Sequence, residues 1–325
     1  MVMLPSGLSM LWEPVEPEGA LRERFGLLGF DGASDWVAEV LAEVWGIAVE
    51  GCDRVVISDA NAIVWMRTEQ GRLVVKWSRA EQRFEELAAS ARLLGALAAR
   101  GVPVAAPVPA VDGRTRVVLG GPSGKLSVAV LPEIDGDWLD VGDEAAVHAA
   151  GACLASLHHA LAEYADADPA VSHGATGDSG EDLRERLTKW LATDDRGVTL
   201  AASQRLAAAV AALPPLDTRE QLVHNDYRAA NLLTRDSAVV GILDFDEIAR
   251  QHPVHDLAKA FVYLSTLFTE WKPTAPGVRR TFLAGYESVR RLSPAEHAWL
   301  ETLALWVGIQ AVPTGDDPAG WAKAL

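Results

Sequence analysis

The segment between residues 222 and 246 concentrates oxygen-bearing side chains that suit phosphate chemistry. Asp226 and Asn231 lie five residues apart in LVHNDYRAANLL, and Asp244 follows in GILDFD. Together they supply oxygen ligands for a hard cation such as Mg²⁺, while one carboxylate stays free to accept a proton. Phosphoryl transfer requires such a set, because the protein mainly positions a metal and a hydroxyl group. Each residue alone also fits a turn or a helix cap, but the combination favours a phosphoryl-transfer site.

The spacing of these residues matches a kinase catalytic loop, H-x-D-x-x-x-x-N, followed by a D-F metal motif. His224 opens the first motif, and Phe245 completes the second. The segment resembles the aminoglycoside phosphotransferase and choline kinase superfamily, which usually carries H-G-D and I-D-F-D or I-D-F-E here. The resemblance implies that Asp226 accepts the proton of the substrate hydroxyl and that His224 braces the loop. It also implies that Asn231 and Asp244 hold the metal.

Three further positions are interpreted through the same resemblance. Asn225 replaces the usual glycine at a position that carries no chemistry in the family. Arg228 lies where protein serine/threonine kinases have a lysine that contacts the transferring phosphoryl group. Its side chain could bind the negative charge that develops on that group, or it could pair with a nearby acid. Asp256, in PVHDLA, is predicted to be a buried brace, and His158 and His159 are interpreted as packing residues.

The resemblance also predicts nucleotide contacts upstream. Lys76, at the end of the β-like run LVVKW, is the expected contact to the α- and β-phosphates. The family usually places an acid partner for this lysine where the present chain has Ser90. Glu86, one helical turn earlier, is therefore the predicted partner in preference to Glu81 and Glu85.

The loop expected to cover the phosphates, ISDANAI at 57–63, contains no glycine. Ser58 and Asn61 are its predicted phosphate contacts, and a simple polar hairpin is the alternative. The adenine base is expected against Pro132, Glu133 and Ile134, whose backbone groups would contact its edge.

The elements that must position these residues change in character along the chain. Residues 1–50 predict an N-terminal helical extension, 51–132 a nucleotide-binding lobe built on an antiparallel sheet, and 133–325 a helical catalytic and acceptor-binding lobe. The fold class is therefore α+β, and the resemblance implies a bilobal protein-kinase-like fold. Helical periodicity covers 35–45, 80–100, 144–164, 182–192, 203–213, 256–268, 278–289 and 294–307, and β-like runs cover 55–57, 63–66, 73–76, 117–119, 126–131, 231–234 and 239–244.

Charge and composition exclude several function classes. The 325 residues contain 45 acidic and 29 basic side chains, a net charge of −16, which disfavours nucleic acid and anionic membranes as partners. The two cysteines suggest neither a disulfide framework nor a zinc site, and no secretory signal or transmembrane segment is evident. We expect a cytoplasmic protein.

The acidic residues also bear on the acceptor. Residues 133–195 carry 15 acidic and three basic side chains, which favours an amine-bearing acceptor, although a solvated helical face is the alternative. The leading prediction is an ATP- and Mg²⁺-dependent kinase acting on a hydroxyl group of an aminoglycoside-like antibiotic or an amino alcohol such as homoserine or choline. The alternatives are a catalytically silent nucleotide-binding or interaction protein and, disfavoured because no A-P-E motif follows Phe245, a protein serine/threonine kinase.

Overall fold

The computed structural model describes residues 6–164, 182–193, 199–216 and 218–325. The chain divides into two compact units, Met1–Asp135 and Gly136–Leu325. An antiparallel-rich sheet dominates the first unit and helices dominate the second, so the predicted α+β class is confirmed.

The first unit is built on a six-stranded sheet. Its order is β1-β2-β3-β4-β6-β5, with β1 parallel to β2 and all other neighbours antiparallel. Every second residue of β4 is apolar, so Leu73, Val75 and Trp77 enter the hydrophobic core on one face of the sheet. The strands are β1 Gly7–Met10, β2 Val49–Ile57, β3 Asn61–Thr68, β4 Gly71–Ser78, β5 Val117–Gly121 and β6 Gly124–Pro132.

The described residues of the first unit form three α-helices, which are α1 Pro17–Phe25, α2 Gly29–Val40 and α3 Phe84–Ala99. A π-helical turn, Leu41–Trp45, continues α2 to the predicted end at Trp45. Phe25 and Trp36 both contact the indole of Trp77 edge-on, with ring centroids 6.0 and 5.2 Å away. The N-terminal helices therefore share one core with the sheet.

The second unit carries two small sheets, ordered β10-β9-β7 and β11-β8. The predicted runs at 231–234 and 239–244 correspond to β9 and β10, whereas β7, β8 and β11 were too short to be predicted. The strands are β7 Asp137–Trp138, β8 Gln221–Val223, β9 Leu232–Arg235, β10 Ala238–Ile242 and β11 Ala249–Gln251.

Six helices complete the described part of the second unit: α4 Glu144–Tyr164, α5 Leu183–Thr193, α6 Leu200–Ala212, α7 Pro253–Tyr263, α8 Pro276–Val289 and α9 Pro294–Ala311. The predicted range of α7, 256–268, was wrong at both ends. Pro253 occupies the first helical position, where its missing N–H is not needed. The chain folds back after Tyr263, because the N–H and hydroxyl groups of Thr274 both donate to the Val262 carbonyl oxygen.

Helices α4 and α8 pack through two glycines. A Cβ atom on Gly151 would lie 2.0 Å from the Phe282 carbonyl oxygen, and one on Gly285 would lie 1.9 Å from that of His148. Only glycine therefore permits this approach of the two backbones.

Helix α4 is the one described helix that is long and apolar enough to cross a membrane by length and composition. Half of its most apolar window is buried inside the protein, as expected for a core helix, so this is weak evidence for a membrane span. The cytoplasmic location stays a prediction.

Candidate active site

Asp226 lies in the loop that joins β8 to β9, and two neighbouring side chains hold its carboxylate. The Nδ2 atom of Asn231 donates to Asp226 Oδ2 at 2.8 Å and to the Asp226 main-chain oxygen at 2.9 Å. The Nε atom of Arg228 donates to Oδ1 at 3.0 Å and to Oδ2 at 3.2 Å. The Asp226 side chain remains 29% exposed, so the oriented carboxylate is still accessible.

Two residues of the site adopt the left-handed backbone region that favours glycine. Asn225 has φ 68° and Asp244 has φ 62°. Asparagine and aspartate tolerate this region better than other side chains with a Cβ atom. Asn225 can therefore replace the family's usual glycine, and Asp244 is an exposed residue two positions after the end of β10.

His224 links the Asp226 loop to the strand that precedes Asp244. Its Nε2 atom contacts the Leu243 carbonyl oxygen at 2.9 Å, and its Nδ1 atom accepts the Asp226 N–H at 3.3 Å. With Nδ1 as an acceptor, Nε2 is the nitrogen that donates to Leu243. Main-chain bonding supports the same link, because the Leu243 N–H donates to the Asn231 carbonyl oxygen at 2.8 Å. These hydrogen bonds therefore connect the Asp226 loop, which contains Asn231, to Leu243, the residue before Asp244.

Asp256 of α7 holds the Asp226 loop through hydrogen bonds to the loop backbone. It is fully buried, and it accepts the His224 N–H at 3.2 Å and the Asn225 N–H at 2.8 Å, as expected of the predicted brace. His158 Nε2 is a third partner at 3.0 Å, and Tyr286 contacts His158 Nδ1 at 2.8 Å. Helices α4 and α8 are thereby connected to the loop.

The charges of this buried network follow from its contacts. Burial raises the pKa of Asp256, but the hydrogen bond from His158 and nearby positive charge bring that pKa below its ordinary value. Burial lowers the pKa of His158. An ionised Asp256 paired with a neutral, donating His158 is the arrangement that both directions support.

Lys259 is a site residue that sequence reasoning missed. Its Nζ atom donates to Asn225 Oδ1 at 2.9 Å. Burial lowers the pKa of Lys259, and the nearby acids Asp256, Asp226 and Glu247 oppose this shift. The available signal was the i, i+3 spacing from Asp256, which places both side chains on one face of α7.

The donor set fits a divalent cation. Among the described residues, no three His, Cys, Asp or Glu side chains cluster as a metal site. The amide of Asn231 directs its Nδ2 atom to Asp226, which leaves Oδ1 to act as a ligand, and Asp244 is an exposed carboxylate residue. Mg²⁺ commonly takes one or two protein oxygens and completes its shell with water and phosphate oxygens.

The predicted phosphate contacts lie in the first unit. Lys76 is on the face of β4 opposite Leu73, Val75 and Trp77, and therefore away from the core they enter. Glu86 accepts a hydrogen bond from Arg83 Nε at 3.2 Å, and its pairing with Lys76 stays a prediction. Ser58 N–H donates to the Asn61 carbonyl oxygen at 2.8 Å, so the glycine-free loop is a tight hairpin turn between β2 and β3.

The predicted adenine-binding connection begins at the end of β6. Pro132 pairs in register with Leu73 of β4, and the Glu133 N–H donates to the Arg72 carbonyl oxygen at 3.0 Å. Glu133 also pairs with Arg72 Nε at 2.6 Å, and burial raises its pKa. The Glu133 amide is thus used within the sheet, and a base contact at this residue would require its carbonyl oxygen. The roles of Pro132, Glu133 and Ile134 stay predictions.

Part of the acidic stretch lies outside the described residues. Asp182 and Glu185 are described at the start of α5, and Glu144 at the start of α4. The members outside the described residues are Asp166, Asp168, Asp178, Glu181, Asp194 and Asp195.

Comparison with known proteins defines the class of this site. Residues 56–300 match the phosphotransferase enzyme family, and the chain belongs to that family. The resemblance seen in the H-x-D and D-F motifs is thereby confirmed, as is the prediction of a transferase that phosphorylates alcohol groups of small molecules.

Three individual proteins are similar to this chain over most of its length. A homoserine kinase of Gluconacetobacter diazotrophicus is 31% identical over 259 residues, covering 72% of this chain and 75% of its own. A solved amicoumacin kinase in complex with AMP-PNP, Ca²⁺ and Ami has a TM-score of 0.57 at 18% identity, with 90% of each chain covered. A microcompartment-associated aminopropanol kinase has a TM-score of 0.57 at 19% identity, covering 89% of this chain and 92% of its own. The two structures establish the likeness of fold.

Proposed function

We propose that this protein transfers the γ-phosphoryl group of ATP to the hydroxyl group of a small, amine-bearing acceptor, with homoserine as the first acceptor to test. The arrangement of Asp226, Asn231 and Asp244 is the observation that carries this proposal. The named activities of the relatives support it, since homoserine and aminopropanol each combine a hydroxyl group with an amine. The amicoumacin kinase complex supports the use of a nucleotide with a divalent cation, for which we propose ATP and Mg²⁺.

In the proposed reaction, Asp226 accepts the proton of the acceptor hydroxyl group. A bond forms between the acceptor oxygen and the γ-phosphorus, while the bond from that phosphorus to the β,γ-bridging oxygen breaks. ADP leaves with the bonding electron pair. Asn231 and Asp244 would hold Mg²⁺, which would neutralise charge on the phosphate oxygens when bound.

The surrounding residues orient the base before the acceptor arrives. The hydrogen bonds from Asn231 and Arg228 fix the plane of the Asp226 carboxylate. Asp256 and His224 fix the backbone from His224 to Asp226. Such preorganisation lowers the barrier because the groups need not be rearranged during the reaction. Lys76 is the proposed contact to the α- and β-phosphates, with Glu86 as its partner.

The test is ADP release with Mg²⁺, ATP and pooled amino-hydroxyl compounds, including homoserine. Asp226→Asn should lower kcat by about 10²–10⁴-fold, the usual contribution of a general base. Asp236→Asn, at an exposed position in the turn between β9 and β10, is the matched control and should keep normal turnover. Unchanged turnover in Asp226→Asn would remove this residue from the mechanism.

A binding experiment tests the metal ligands separately. Asp244→Ala should weaken nucleotide affinity measured by titration calorimetry with Mg²⁺ and leave the metal-free affinity nearly unchanged. Equal affinities of Asp244→Ala and the unaltered protein in Mg²⁺ would contradict the assignment of Asp244.

A further inference from the structure

Arg228 is held in a defined orientation beside the proposed base. Its side chain is 14% exposed, and Nε is the atom that contacts Asp226. The guanidinium carbon lies 5.3 Å from the ring centroid of Trp271, and Nη1 approaches the Leu267 carbonyl oxygen at 3.5 Å. The structure therefore shows an ion pair between Nε of Arg228 and Asp226, and pairing with an acid was one of the two alternatives that the sequence left open.

The two donors to the Asp226 carboxylate connect it to different segments of the chain. Asn231 approaches Oδ2, and the bond between the Asn231 carbonyl oxygen and the Leu243 N–H leads on to Asp244. Asn231 and Asp244 of this segment are the proposed metal ligands. Arg228 makes its shorter contact to Oδ1 and extends toward residues 267–271. For the proposed reaction we therefore assign the acceptor to the Arg228 side of Asp226, away from the segment with the proposed metal ligands.

The outer edge of the guanidinium retains binding capacity. Arginine has five N–H donors, and the Nε contact uses only one of them. Among the described residues, Arg228 makes its hydrogen bonds through Nε and Nη1 and none through Nη2. Trp271 supports the guanidinium through a cation–π contact and is itself 50% exposed. A planar arginine edge presented in this way matches the geometry of a carboxylate.

We propose that Arg228 and Trp271 form an acceptor subsite in which the outer edge of Arg228 binds a carboxylate group of the acceptor. This inference rests on the proposed function and narrows its substrate class to hydroxy amino acids. Acceptors that carry amines but no carboxylate, including simple amino alcohols, lose this contact. The subsite thus recognises the group by which homoserine differs from 3-amino-1-propanol.

The competing role is a contact from Arg228 to the transferring phosphoryl group. That contact would be made with every acceptor, because the phosphoryl group comes from ATP. A carboxylate contact would be made only with acceptors that carry the carboxylate. The two roles therefore differ in acceptor specificity, and both acceptors use the same base, so effects on Asp226 cancel in their ratio.

The experiment measures kcat/KM for homoserine and for 3-amino-1-propanol with saturating MgATP. The ratio of the two values should fall by about 10–100-fold in Arg228→Gln, the range expected for loss of a charge-assisted hydrogen bond. Trp271→Leu, which keeps the arginine but removes its support, should lower the ratio by a smaller factor. Arg280→Gln removes an equal charge from an exposed position of α8 and should leave the ratio unchanged.

Equal losses with both acceptors in Arg228→Gln would overturn the proposal in favour of a phosphoryl contact. If Arg228→Gln lacks turnover with both acceptors, calorimetric affinities of the two acceptors replace kcat/KM, since binding needs no base. A selective loss of homoserine affinity supports the subsite, and an equal loss refutes it. If the unaltered protein phosphorylates only acceptors without a carboxylate, the subsite is refuted while the proposed function stands. Absence of turnover with every pooled acceptor would instead refute the proposed function.

Discussion

The contact between Lys259 and Asn225 predicts a dependence between two substitutions. Asn225→Gly removes the oxygen that accepts the Lys259 hydrogen bond at 2.9 Å. A hydrogen bond to a charged partner contributes about 1.5–3 kcal/mol. The substitution also changes the backbone preference at φ 68°, where glycine relieves conformational strain but gains freedom in the unfolded chain. These two backbone effects oppose each other and are each about 1 kcal/mol.

The free energy of unfolding should therefore fall by about 1.5–3 kcal/mol in Asn225→Gly when Lys259 is present. In the Lys259→Met background the same change should be close to neutral, because the hydrogen bond is already absent. Asp236→Gly is the matched control for the backbone effect alone, since Asp236 is exposed and has φ 49°.

Urea unfolding of the four proteins in this double-mutant cycle gives the coupling energy directly. Measurement of kcat on the same proteins shows whether the contact also positions Asp226. A coupling energy below about 0.5 kcal/mol, the range of independent sites, would refute the reasoning.

Two further predictions concern the stability of the described fold. Gly285→Ala should lower the free energy of unfolding by about 1–3 kcal/mol or more, because its Cβ atom would meet the His148 carbonyl oxygen. Gly95→Ala, in α3 with open space around it, should instead stabilise by about 0.5–1 kcal/mol, and equal urea midpoints for the two variants would contradict the close helix contact. Burial lowers the pKa of His255 to about 3, so this residue is neutral when folded but binds a proton when unfolded below pH 6.5. Stability should consequently fall by about 1.6 kcal/mol between pH 6.5 and pH 5, and this loss should be absent in His255→Phe. The same pH dependence of the free energy of unfolding in the variant and the unaltered protein would disprove this prediction.

The fold class and the central motifs were accessible from sequence because they depend on local pattern. The range of α4 matched its predicted 144–164, since apolar periodicity continues to Tyr164. The strands β9 and β10 were predicted from their apolar runs. Strands of two or three residues, such as β7 and β8, have too few positions to show a period, and their pairing depends on partners distant in sequence.

The network beneath the candidate site was harder to predict than its motifs. His158 was interpreted as a packing residue, and it is indeed buried, but its ring also donates to Asp256, which lies 98 positions later. Lys259 was not singled out, because a lysine on a helix is usually solvated. Only the folded chain shows that Asn225 offers it a partner. Side-chain contacts of this kind arise from tertiary packing, which one sequence does not encode in a local pattern.

The separate attachments of the Asp226 loop have a consequence for the evolution and redesign of acceptor choice. Asp256 supports the loop through the backbone of His224 and Asn225, whereas residues 264–274 are tied to it by the Ala229 N–H bond to the Leu264 carbonyl oxygen at 3.0 Å. At the other end of this segment, Thr274 donates hydrogen bonds to the Val262 carbonyl oxygen of α7. Side chains between these two anchors can be exchanged while the anchoring main-chain bonds remain. Under the acceptor subsite proposed above, substitutions in this segment would change acceptor preference by drift or by directed mutagenesis and leave the hydrogen bonds around Asp226 in place.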